Sequence, residues 1–200
     1  MTPTSFSHRD LVEAARGDET AFTRVFRCVA PGVLRYLQTL APDVAEDVAA
    51  ETWVHVVRGL RRFDGDEDAF RAWVFTIARH RWVDHVRQVA RRPPVLDESA
   101  ALDLPAARQV EDQVEEIVST ERALELIGRL PKDQAEVVLL RVVADLDVAT
   151  TAAVVGKRPG TVRVLAHRGL RRLARMLEPE TESSQQDVTL RSVPSVTGES

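Results

Sequence analysis

The stretch from Asp147 to Leu177 restricts the fold of this chain more than any other. Its first part, Val148-Ala149-Thr150-Thr151-Ala152-Ala153-Val154-Val155, is short, rich in small residues, and ends at Gly156. Small side chains let a second helix approach closely, and glycine is the preferred residue just past a helix end. Pro159-Gly160-Thr161 then opens a longer segment. This size and punctuation predict a helix-turn-helix. At about 100° per residue, Val162, Leu165, Ala166, Gly169, Leu173, Met176 and Leu177 share one side of the second helix. Arg163, His167, Arg171 and Arg175 lie opposite, with Arg168 beside them, and no carboxylate occurs between Asp147 and Glu178. A solvated helix usually interleaves acids and bases for i,i+4 pairing, so an all-basic face forgoes that stabilisation. The phosphates of nucleic acid explain the imbalance better than solvation alone, and arginines early in such a helix reach guanine edges in a major groove.

The rest of the chain agrees with a helical class. Hydrophobic residues make up 44% of the 200 residues, but only six Phe, three Trp and one Tyr are present. The core must therefore rest on Leu, Val and Ala, and the β-branched runs are too short for sheets; the expected fold is all-α, in two small helical domains. The formal net charge of −4 is opposite in sign to what a partner of nucleic acid needs. Local charge decides what a phosphate backbone meets, and here it is segregated. Arg79, Arg81, Arg87, Arg91 and Arg92 form one basic stretch, and Lys157, Arg158, Arg163, Arg168, Arg171, Arg172 and Arg175 a second. An acidic segment with Asp97, Glu98, Asp103, Glu111, Asp112, Glu115 and Glu116 lies between them.

Helix punctuation divides the chain further. Ser7 with Asp10 resembles a capping box, and Asp18 can cap a second helix carrying Phe22, Val25, Phe26 and Val29. Pro31-Gly32 is expected to break or kink that helix. A third helix is expected from Asp43 to Leu60. A fourth is expected from about Ala69 to Arg91, with Phe70, Trp73, Val74 and Ile77 as its buried stripe. Pro93-Pro94 ends the first domain, taken as 7–92, and 93–117 reads as an acidic linker that turns helical towards its end. The second domain, 118–178, starts with a helix carrying Leu124, Ile127 and Leu130. Pro131 then opens another, with Val137, Val138, Leu140 and Val142. The Ser-, Thr-, Gln- and Glu-rich residues 179–200 are expected to be a disordered tail.

Three segments, in order across residues 10–177, resemble the RNA polymerase sigma-70 family, in its small extracytoplasmic-function (ECF) group. Ala45-Glu46-Asp47-Val48-Ala49-Ala50-Glu51-Thr52-Trp53 is similar to the family's Ala-Glu-Asp-Leu-x-Gln-Glu-Thr-Phe helix. Phe70-Arg71-Ala72-Trp73-Val74-Phe75-Thr76-Ile77-Ala78-Arg79-His80 is similar to Phe-x-x-Trp-Leu-x-x-Ile-Ala-Arg-Asn. Gly160-Thr161-Val162-Arg163 and His167-Arg168 are similar to the family's recognition helix. The resemblance implies that Asp43, Glu46, Asp47 and Glu51 dock on core RNA polymerase, with Trp53 anchoring their helix. It implies that Asp64, Asp66, Arg71, Arg79, His80, Arg81, Arg87 and Arg91 meet the melted non-template strand of the −10 promoter element. Melted strands need a basic groove for the backbone and places for unpaired bases. It further implies that Lys157, Arg158, Thr161, Arg163, His167, Arg168 and Arg171 read the −35 element as duplex DNA, and that an anti-sigma factor controls the protein. Trp82 is expected to pack rather than to stack on a base. The chain departs from the family pattern at Ala50 (usually Gln), His80 (usually Asn), Thr150-Thr151 (commonly Glu-Ile) and Leu165 (often Arg).

Other function classes find less support. His80 and Asp84 lie four apart with His85 adjacent, but no third convergent ligand is evident, so no metal site and no cofactor are expected. No nucleophile or Gly-rich loop accompanies the paired acids, so catalysis is not expected. Cys28 is the only cysteine and reads as a small core side chain among Val25, Phe26 and Val29. The residues Met1–Ser7 do not form a secretory signal, and no apolar run reaches membrane-spanning length, so a cytoplasmic protein is expected. The closest rival is a conventional helix-turn-helix regulator that binds duplex sites without polymerase. It has no evident need for an acidic helix followed by a basic one across 43–92.

Overall fold

The computed structural model describes residues 5–91 and 111–177, so most of the expected linker and the expected disordered tail lie outside the described residues. Among the described residues the regular structure is entirely helical, as expected. Helix α1 (His8–Ala15) opens with the reciprocal capping box: the Asp10 N–H donates to Ser7 Oγ at 3.3 Å, and the Ser7 N–H donates to the Asp10 carboxylate at 2.9 Å. Asp18 caps α2 (Glu19–Leu40) by accepting from the Ala21 N–H at 2.7 Å. Arg24 on α2 reaches back to Asp10 at 2.7 Å, fastening the two helices together.

Helix α2 runs through Pro31 as a single helix, so the expected break is absent. Proline removes one ladder hydrogen bond. Val25 and Val29 before it, and Val33, Tyr36 and Leu37 after it, are all buried, and their burial keeps the helix continuous across the proline. A 3-10 turn (Pro42–Val44) precedes α3 (Ala45–Leu60), two residues later than expected. Helix α4 (Glu67–Arg91) starts two residues earlier than expected, because Asp66 accepts from the Ala69 N–H at 2.8 Å.

The buried face of α4 is Phe70, Val74, Phe75, Ala78 and Trp82, whereas Trp73 and Ile77 are only half-buried. The expected stripe was turned because α4 packs on α3, α2 and α7 rather than on a single neighbour. Trp73 instead stacks on Phe63, with ring centroids 5.1 Å apart, and lies over Gly59. A Cβ on that glycine would stand 2.7 Å from the indole, so α3 needs a glycine at the crossing.

In the second half, α5 (Glu111–Gly128) begins within the expected linker. Helix α6 (Lys132–Val142) is followed by α7 (Val148–Val155) and α8 (Pro159–Leu177). Every residue of α6 from Ala135 to Leu140 is buried; of the apolar residues expected on this helix, Val137, Val138 and Leu140 are enclosed but Val142 is exposed, and Leu139 is enclosed as well. The cause is position, since α6 touches α2, α5, α7 and α8. Gly169 lets α8 cross α6 closely; a Cβ there would stand 2.8 Å from Val138 Cγ2. The two halves share one continuous apolar cluster, joined where α2 meets α5 and α6 and where α4 meets α7.

Candidate nucleic-acid interface

The helix-turn-helix is built as its punctuation predicts. Asp147 Oδ1 accepts from the Thr150 N–H at 2.6 Å, and this bond holds the Asp147 carboxyl below its ordinary range. Arg141 donates to the Leu146 carbonyl, fixing the approach to α7. Gly156 takes a left-handed conformation (φ +67°) and its N–H closes back on α7, which a side chain would resist. Thr151 is fully buried, and its hydroxyl points to the Leu146 carbonyl.

Helix α8 then divides as expected. Val162 and Gly169 are buried, and Leu165, Ala166 and Leu173 half-buried, against the rest of the domain. Met176 and Leu177, expected on the same side, are exposed. Arg158, Thr161, Arg163, His167, Arg168 and Arg171 are exposed. Arg163, Arg168 and Arg171 make no ion pair among the described residues, which leaves their charge for an external anion. Lys157 differs: its Nζ binds Asp133 at 3.0 Å, so it ties the turn to α6. Arg168, Arg171, Arg172 and Arg175 together line a cleft with Gln134 of α6. Gln134 is absent from the sequence-derived set, because its place beside α8 depends on the α6–α8 crossing.

The α4 residues do not assemble into one groove. At helical spacing His80, Arg87 and Arg91 share an exposed face, while Arg71 lies opposite. Arg71 stands over the Phe6 ring at 5.2 Å, and Arg81 binds Asp84 at 3.0 Å. Arg79 turns to Glu136 of α6 at 2.5 Å. Trp82 is buried, in the packing role expected of it. Asp64 and Asp66 are both exposed on the loop before α4, and Asp66 also caps that helix. Asp64 borders a hollow with His8, Arg16, Arg61 and Phe63. Arg16 and Arg61 escaped the sequence reading because the meeting of α1 with the end of α3 brings them there.

Glu46, Asp47 and Glu51 share one exposed face of α3 with Ala50 and Val54, and Asp43 is exposed on the preceding turn. The opposite face, Ala45, Val48, Thr52 and Val56, is buried. Trp53 packs edge-on against Phe26 at 4.6 Å and Phe22 at 6.3 Å, so it anchors the acidic face to α2. Among the described residues no three His, Cys, Asp or Glu gather as metal ligands. No helix there is long and apolar enough to cross a membrane. Cys28 is half-buried, and burial pushes its thiol pKa up, which suits a packing role.

Comparison with known proteins decides the family. Residues 25–92 match Sigma-70 region 2, and residues 120–173 match Sigma-70, region 4. The ECF RNA polymerase sigma factor SigD of Mycobacterium tuberculosis is 34% identical over 169 residues, covering 82% of this chain and 80% of SigD. The chain belongs to the sigma-70 family, in its ECF group. Another member, the ECF RNA polymerase sigma factor BldN of Streptomyces coelicolor, is 34% identical over 171 residues. That match covers 84% of this sigma factor and 65% of BldN, so the chain spans just under two thirds of that relative's length. The fold is similar to that of the sigma factor RpoE, solved in complex with the anti-sigma factor NepR from Bartonella quintana. The TM-score is 0.60 at 24% identity, over 80% of this chain and 98% of that one. The conventional-regulator reading is not favoured by these relatives.

Proposed function

We propose that this sigma factor binds core RNA polymerase and directs it to promoters, where it reads −10 as a melted strand and −35 as duplex. Residues 7–92 serve polymerase and the −10 element, and residues 118–178 serve the −35 element. The observation that carries the reading is the exposed basic face of α8, without ion pairs at Arg163, Arg168 and Arg171, set behind a capped and correctly turned α7. Arg158, Thr161 and His167 complete that face. On α4, the exposed His80, Arg87 and Arg91, together with the half-buried Arg79, bind the strand backbone. The Asp64–Asp66 loop supplies acceptors for base edges.

Asp43, Glu46, Asp47 and Glu51 meet basic side chains of the polymerase. Two weak DNA contacts joined through polymerase raise each other's effective concentration, so selectivity does not depend on either affinity alone. The protein works in the cytoplasm, where polymerase is, it performs no catalysis of its own, and an anti-sigma factor is the inhibitory partner. The test is equilibrium binding of the full chain to bacterial core RNA polymerase. Asp47→Lys combined with Glu51→Lys is expected to weaken binding about tenfold or more with the melting temperature unchanged, since both residues are exposed. Binding indifferent to this reversal would contradict the docking surface.

A further inference from the structure

Glu136 is the buried charge that the fold of its own half leaves unexplained. It sits within the enclosed run Ala135–Leu140 of α6, with 5% of its surface exposed. A carboxylate removed from water at such a site is costly unless it is paired. Both of its partners come from the other half of the chain. Arg79 Nε on α4 donates to its Oε1 at 2.5 Å, and the hydroxyl of Tyr36 on α2 donates to the same oxygen at 3.2 Å. Tyr36 is completely buried and rests edge-on against Phe75, ring centroids 5.6 Å apart. Close approach continues along α2: a Cβ on Gly32 would lie in ordinary contact with the Val143 carbonyl, at 3.5 Å. One oxygen thus joins three helices from two halves.

Arg79 is also one of the α4 cations that the sigma reading offers to the −10 strand. Its guanidinium has two competing anions, the Glu136 carboxylate and a promoter phosphate. The basic face of α8 is not involved, since its arginines stay exposed in the same arrangement.

We propose that Glu136 latches the two halves in a closed state, its carboxylate holding Arg79 in the place of a promoter phosphate. Opening releases Arg79 to single-stranded DNA and separates α6 from α2 and α4. Closure itself stands on the geometry alone; the competition with DNA rests on the sigma reading.

The test uses the full chain at physiological salt, with small-angle scattering for compactness and anisotropy of a labelled single-stranded oligonucleotide for binding. Glu136→Gln is expected to raise the radius of gyration and to tighten strand binding about tenfold, because a neutral amide holds a guanidinium far less firmly than a carboxylate does. Glu121→Gln, an exposed residue outside the ion pairs of the described residues and with the same loss of charge, should change neither, which separates release of Arg79 from a simple gain in net positive charge. Tyr36→Phe keeps every charge and should give a smaller change in the same direction, about twofold to threefold in binding. It also keeps the test decisive if Glu136→Gln fails to fold. Unchanged compactness in folded Glu136→Gln and Tyr36→Phe would overturn the latch. Expansion with strand affinity at the wild-type value would overturn the competition at Arg79. Neither outcome bears on whether the protein directs polymerase, which promoter-dependent transcription reads separately.

Discussion

Asp10 shows how much a single carboxylate does when several donors converge on it. The Ser7 N–H and hydroxyl, and then Arg24, hold its pKa at about 2, from an ordinary value of 3.8. A carboxyl depressed on folding stabilises the fold fully above its unfolded pKa and loses that contribution as pH falls towards the folded one. Asp10→Asn should therefore melt below the wild type at neutral pH, and the gap should close as pH is lowered from about 4 to about 2. A gap that persists unchanged at the acid end would show that the charge is not what matters. Glycines separate space from propensity in the same way. Gly169→Ala places a methyl 2.8 Å from the stiff side chain of Val138 and should destabilise by about 1–3 kcal/mol. Gly160→Ala meets nothing within 4 Å and should stabilise by about 0.4–1 kcal/mol. Denaturant titration of the two variants reads both signs. The Ser7 box and the Asp18 cap were legible in the sequence because a cap is a contact over three residues. The Glu136 contacts were not, because Tyr36 lies 100 residues away and Arg79 57 residues away.

Helices were legible where their partners lie on one side and misread where they do not. Helix α8 has a single buried side, so its division into apolar and basic faces could be taken from spacing alone. The Ala135–Leu140 run of α6 lies among four neighbouring helices, and no periodicity announces a stretch buried all round. Helix α4 fell between: its arginines recur along one stretch of sequence but point around the helix, and Arg71, Arg79 and Arg81 are drawn to Phe6, Glu136 and Asp84. The consequence for DNA binding is specific. Arg163→Ala, Arg168→Ala and Arg171→Ala should each weaken binding to a −35 duplex. Any of the three that contacts a phosphate should also lower the salt-dependence slope by about 1. Lys157→Ala should leave that slope unchanged, because its ammonium is already paired with Asp133. Binding titrations across a range of salt concentrations check all four variants.

Two family regions share one continuous core among the described residues. Thermal unfolding of the closed form should accordingly show a single transition by circular dichroism, as shared burial makes the halves cooperative. Two resolved transitions would mean that the contact between them contributes little. The two-region organisation was foreseeable from charge segregation and from Pro93-Pro94. The packing of one region on the other was not, since nothing in a local pattern tells which domain faces meet. Transcription of fragmented genomic DNA by core RNA polymerase plus this protein, with RNA 5′ ends mapped, reads promoter direction itself. Discrete starts sharing two upstream elements, lost with Asp47→Lys and Glu51→Lys together, are predicted. Tight duplex binding by the protein alone, with no starts dependent on it, would contradict the assignment.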